Sequence, residues 1–127
     1  MAVSFFEAFT PQEVARISAA GTRVRLPQGW SPIWESTPAD KAYIILAGEV
    51  SVRHGREEIA RLGAGDIMGE TAIVNHTLRT ATLVALTPLD LIHLTDEAVR
   101  RLTEQLPSFR TALDEVVLAR EIAHTGE

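Results

Sequence analysis

From Thr22 to Thr95 the hydrophobic period is two, and the β-prone runs are short and repeatedly interrupted. The runs are Thr22–Leu26, Ser31–Glu35, Lys41–Ala47, Glu49–Arg53, Glu58–Leu62, Thr80–Leu86 and Asp90–Thr95. Turn-forming stretches separate them: Pro27-Gln28-Gly29, Thr37-Pro38-Ala39-Asp40, His54-Gly55 and Gly63–Asp66. Many short strands divided by turns imply a small barrel or roll, an architecture that limits exposed strand edges.

Helical signals flank this region. Thr10 suits an N-cap, Pro11 the first turn, and Glu13 lies three residues after the cap, where it completes a capping box. Val14, Ile17 and Ser18 follow at helical spacing, and Gly21 is placed to end the helix. After Thr95 the helical period returns. Thr95 can cap a helix with Asp96 and Glu97 in its first turn and Val99 and Leu102 on its inner face. Pro107 breaks that run, and a second helix from about Ser108 puts Phe109, Leu113, Val116 and Val117 on one stripe. The expected architecture is mainly β with flanking helices in a single domain over 1–127. It has a helical lead over 1–21, a roll over 22–95 and closing helices over 96–127.

Composition narrows the function. A length of 127 residues with 46% hydrophobic content supports one globular core, burying roughly two-thirds of the unfolded surface. No apolar stretch approaches the ~18–20 residues of a membrane span, and the N-terminus lacks a basic-then-apolar signal, so no membrane association is expected. Absence of cysteine excludes disulfides and thiolate metal sites and is compatible with a reducing cytosol, so the expected location is cytoplasmic. A net charge of −5 argues against nucleic-acid binding by this chain alone. His54, His76, His93 and His124 are scattered without metal-ligand spacing, so no metal or cofactor is expected. Paired carboxylates, metal-binding HxxE or HD clusters and a nucleophile elbow are missing, and the chain reads as non-catalytic.

The chemistry concentrates between Gly65 and Ala85, GDIMGETAIVNHTLRTATLVA. A glycine-rich turn leads to Gly69-Glu70, and Arg79 follows nine residues after the carboxylate. An ionised carboxylate only accepts hydrogen bonds, so Glu70 can take those of a sugar hydroxyl. The planar fork of a guanidinium matches a phosphate in bidentate fashion, a geometry lysine cannot copy. The intervening TAIV can form one helical turn whose free N–H groups point at the same anion. Acid and base together suit a ligand with a sugar hydroxyl at one end and an anion at the other.

Gly-Asp, Gly-Glu and Arg-Thr-Ala-Thr, in this order and spacing, resemble the phosphate-binding cassette of cyclic nucleotide-binding domains. The likeness extends from Val24-Arg25-Leu26-Pro27 through Tyr43–Val50 and Leu62–Asp66 to Ala85–Leu91 and the following helices, nearly the whole chain. It implies a jelly-roll-like β-roll (a double-stranded β-helix) with an N-terminal helix, a short cassette helix and two C-terminal helices. It also implies a non-catalytic cAMP or cGMP sensor with ligand contacts at Gly69, Glu70, Thr71, Ala72, Arg79 and Thr80. Glu70 would hold the ribose, Arg79 and the Ala72 N–H the phosphate. A hydroxyl at Thr80 accompanies cGMP binding in some members, whereas bacterial cAMP receptors can carry serine there, so selectivity stays open.

A chain of this length leaves no room for an effector domain. Its output is expected through an effector protein, a homodimer or a larger protein containing the module. In transcription regulators of this kind the DNA-binding helices follow the closing helix, and this sequence stops at Glu127. The alternative is a degenerate roll that serves protein–protein contacts without nucleotide. Three positions depart from the family pattern: Leu78 where a proline commonly precedes the arginine, Met68 where an aromatic is common, and Ser36 where glycine is common. Trp30 and Trp34, near the first β-turn, are expected to pack, and Arg100-Arg101 to form a solvated helix face. Val116, Val117 and Leu118 suit either a lid over the purine or a dimer seam.

Overall fold

The computed structural model describes residues 5–34, 36–37, 40–69 and 81–125. A short 3-10 turn, Phe5–Ala8, precedes helix α1, Pro11–Ala20. Among the described residues seven strands follow: β1 Thr22–Leu26, β2 Lys41–Ala47, β3 Val50–His54, β4 Glu57–Leu62, β5 Ile67–Met68, β6 Thr82–Ala85 and β7 Leu89–Thr95. Helices α2, Asp96–Gln105, and α3, Pro107–Thr125, close the chain. All strand pairings are antiparallel and make two sheets, a four-stranded one ordered β1-β7-β2-β5 and a three-stranded one ordered β4-β3-β6.

The pleat of β2 and β7 divides the apolar side chains between two cores. Ala42 and Ile44 on β2, with Ile92 and Leu94 on β7, meet Ile17 of α1, Val99 and Leu102 of α2, and Phe109 and Leu113 of α3. The alternate residues Tyr43, Ile45, Leu89 and Leu91 face Val50, Met68, Leu83 and Ala85 inside the roll. The four-stranded sheet is therefore apolar on both faces, which is why the core of β2 reads as an unbroken apolar run.

The helix caps form as the sequence requires. The Thr10 hydroxyl accepts from the Glu13 N–H at 3.2 Å and the Glu13 carboxylate accepts from the Thr10 N–H at 2.9 Å. Thr95 caps α2 by accepting from the Ala98 N–H at 3.0 Å. Gly21 ends α1 in extended backbone, with its N–H donated to the Ser18 carbonyl. The aromatic lead packs on the last helix: Phe5 meets Phe109 edge-on at 5.7 Å, and Phe9 stacks on it at 6.2 Å. Between β2 and β3, Gly48 adopts φ +108, and a Cβ there would lie 2.6 Å from the Pro88 carbonyl oxygen. Both the backbone angle and the close approach require glycine.

Several local expectations are corrected. Ser31–Glu35 is not a strand: Ile33 makes a single bridge to Leu83, and Glu35 lies outside the described residues. The Ser31 hydroxyl donates to the Leu83 carbonyl at 2.7 Å, so a side chain takes the place of a ladder N–H. With Gly29 N–H to Ala85 O and Ala85 N–H to Trp30 O, both at 2.8 Å, the loop covers the free edge of β6 irregularly. Strand β5 was absent from the sequence-based runs because two residues are too few to display a period. Trp30 and Trp34 do not pack: they are 59% and 60% exposed, since main-chain bonds to β6 hold their loop instead. Arg100 and Arg101 are solvated as expected and pair with Asp96 and Glu97 on their own helix. Val117 is buried and Val116 packs against the outer core, whereas Leu118 is 57% exposed.

Candidate functional site

The cassette is approached through the turn Gly63–Asp66. The Asp66 carboxylate accepts from the Gly63 N–H at 2.9 Å, while the Asp66 N–H donates to the Gly63 carbonyl at 3.1 Å. This small closed turn docks on one residue of β2. Ile45 donates its N–H to the Asp66 carbonyl at 2.8 Å and accepts from the Gly65 N–H at 2.7 Å. Ile45 also borders the register shift between β2 and β7.

Beyond the turn, Ile67 pairs with Ile44, and Met68 with Tyr43. Ile67 enters the outer core and Met68 the inner one, both fully buried. Gly69 then takes φ +88, a left-handed conformation for which glycine is suited. Of the candidate ligand residues, Gly69 is the one the structure describes. Glu70, Thr71, Ala72, Arg79 and Thr80 lie outside the described residues, with the expected helical turn and His76. The chain re-enters at Ala81, which packs on the same inner core as Met68 and leads into β6. The segment bearing the acid and the arginine thus leaves the four-stranded sheet and returns to the three-stranded one, with both ends anchored on the roll interior.

Charged groups on β3 and β4 pack away from that interior. Val50 and Val52 join the inner core, and the alternate residues Ser51 and Arg53 face the opposite side. There the fully buried Ser51 hydroxyl donates to Glu58 at 2.6 Å and accepts from Arg53 Nε at 3.2 Å. Arg61 Nε reaches Glu58 at 2.7 Å. The Ser51 hydroxyl, followed by Arg61, holds the Glu58 carboxyl below its ordinary range. On the four-stranded sheet, Arg23 grips Asp90 through Nε at 2.9 Å and a second nitrogen at 2.5 Å. The Arg23 bond also lowers the Asp90 pKa. These cations are committed to structural pairs, which the sequence pattern did not reveal.

His93 sits edge-on to Tyr43 at 5.3 Å. Burial is the main reason its pKa is lowered; Lys41 adds to the effect and Asp40 opposes it. Among the described residues, no three histidine or acidic side chains are grouped to hold a metal ion, and no helix is long and apolar enough to cross a membrane. Ser36 adopts φ +65, so this position takes the left-handed backbone for which glycine is suited.

Two antiparallel sheets closed on a shared apolar interior, with helices over the outer face of one of them, define a β-roll. Residues 23–106 match the family model of the cyclic nucleotide-binding domain, and the chain belongs to that family. The CRP-like cAMP-activated global transcriptional regulator of Mycobacterium tuberculosis is 27% identical over 126 residues, 95% of this chain and 56% of that regulator. The cAMP-dependent protein kinase regulatory subunit of Colletotrichum orbiculare is 28% identical over 118 residues, 90% of this chain and 30% of the subunit. The structure of the Thermus thermophilus catabolite activator protein matches with a TM-score of 0.83 at 25% identity, covering 96% of this chain and 59% of that one. The chain thus spans little more than half the length of the mycobacterial regulator it matches.

Proposed function

We propose that this chain is a non-catalytic sensor of cAMP or cGMP whose ligand is held by Gly69, Glu70, Thr71, Ala72, Arg79 and Thr80. The observation that carries the reading is the family match over residues 23–106, a span that contains both Glu70 and Arg79. Further support comes from Met68 and Ala81, which join the same inner core at the two ends of the cassette. Glu70 accepts from the ribose hydroxyl, Arg79 donates to the cyclic phosphate, and the Ala72 N–H adds a backbone donor. Each charge-assisted bond contributes about 1.5–3 kcal/mol. Thr80 is the side chain that bears on the choice of purine.

Output follows from packing. Helices α2 and α3 cover the outer face of the sheet that delivers Gly69. A ligand that draws the cassette inward biases the position of those helices, because their contacts differ between the two states. The response passes to a homodimer partner, an effector protein or further domains. Titration calorimetry of wild type and Arg79→Ala with cAMP and cGMP tests the reading. Micromolar or tighter binding by wild type is expected, weakened by about tenfold or more in the variant. Equal binding by both proteins defeats the assignment of Arg79, and no binding by either favours a roll retained for protein contacts.

A further inference from the structure

We infer that Asp66 is a positioning residue for the nucleotide cassette, acting through the turn it closes rather than by touching ligand. The inference rests on the functional reading above, because it supposes that the residues after Gly69 hold the nucleotide. Its basis is the bracket formed by Asp66 and Ile45. The carboxylate takes the Gly63 N–H, and the main chain on either side of the turn is clamped by the N–H and carbonyl of Ile45.

That clamp decides where β5 starts. The strand is two residues long, and its ladder runs from Ile44↔Ile67 to Tyr43↔Met68. A slip by one residue would move Ile67 from the outer core to the inner one and drive Met68 the opposite way. Two residues pair too few groups to resist such a slip by themselves, so the turn that feeds them must hold the register. Gly65 at φ +90 and Gly69 at φ +88 bound the segment. The point at which the chain leaves β5 at Gly69 is therefore set by the Asp66 turn. Misplacing a binding group by even a fraction of its contact distance forfeits a charge-assisted hydrogen bond.

Amide exchange without ligand and calorimetry with cAMP test this on Asp66→Ala and Asp66→Asn, since asparagine keeps an oxygen able to accept from Gly63. Asp66→Ala is expected to speed exchange at Gly65 and from Ile67 to Gly69, leave β7 protected, and weaken cAMP binding by about tenfold, one bond's equivalent. Asp66→Asn is expected to restore both. Asp66→Glu, with its carboxylate one methylene further out, replaces the alanine variant if that fails to fold and should show the same losses. Asp90→Ala, which breaks the pair with Arg23, is the control: it should lower thermal stability without weakening cAMP binding. Unchanged exchange at 67–69 in Asp66→Ala, an asparagine variant as impaired as alanine, or equal affinity loss in Asp90→Ala overturns the inference. If wild type binds no cyclic nucleotide the functional reading fails, while the exchange comparison still decides whether Asp66 sets the register.

Discussion

The two sheets of the roll solve burial in opposite ways. In the four-stranded sheet β2 is packed from both sides, by the helices and by the roll interior, with Ala42, Tyr43, Ile44 and Ile45 all buried. In the three-stranded sheet β4 is exposed along nearly its full length, and the outer side of β3 is sealed by a polar network around Ser51. One sheet is packed with apolar side chains on both faces, whereas the other is apolar on its inner face and bonded through polar groups on its outer one. In sequence the cassette links β5 of the first sheet to β6 of the second.

Core truncations should separate the sheets most sharply. Ile44→Ala removes a fully buried side chain between the helices and the strands and is expected to cost about 2–5 kcal/mol. Ile59→Ala, at a 41% exposed position of β4, is expected to cost less than about 1 kcal/mol. Urea unfolding of both variants checks the pair, and equal losses would erase the distinction.

A smaller effect is expected from Ser51→Ala, about 1 kcal/mol, because the buried hydroxyl both donates to Glu58 and accepts from Arg53. The loss should shrink when Glu58 is already changed to glutamine. A double-mutant cycle measures that coupling, and strict additivity would mean that the network contributes nothing as a unit.

The gentlest test is a pH dependence on the helical side. The Glu13 carboxylate accepts from the Ser108 hydroxyl and from the Thr10 N–H, and the Ser108 bond is the first reason its pKa is lowered. A carboxyl whose folded pKa is depressed stabilises the fold above its ordinary value of 4.5. That stability is lost as pH falls through the folded value. Thermal melts between neutral pH and pH 3 should therefore show a shallower acid decline in Ser108→Ala than in wild type. An identical decline in the two proteins would exclude Ser108 as the cause.

The same contrast explains what could be read in advance. The limits of β1 and β2 coincide with the sequence runs Thr22–Leu26 and Lys41–Ala47, because Gly21, Pro27, Asp40 and Gly48 bracket them. Both helix caps were legible for a similar reason: Thr10, Glu13 and Thr95 bond to backbone within three residues. Contacts distant in sequence were not legible. The covering of β6 by the loop around Ser31 joins residues 52 apart, so nothing in the sequence hinted that the indoles of Trp30 and Trp34 stay outside. The turn and the arrival of the cassette at Gly69 were readable from Gly65, Asp66 and Gly69, but the clamp by Ile45 was not. Nothing in an apolar strand residue announces that its main chain serves a turn instead of the neighbouring strand.

Amide exchange of the wild-type chain with and without saturating cAMP tests the central claim most directly. Protection is expected to rise across residues 69–80 and on the flanking strands β5 and β6, with little change on the Ser51, Glu58 and Arg61 side of the three-stranded sheet. Protection centred on that outer side, or none anywhere under conditions that saturate a micromolar site, would contradict the account.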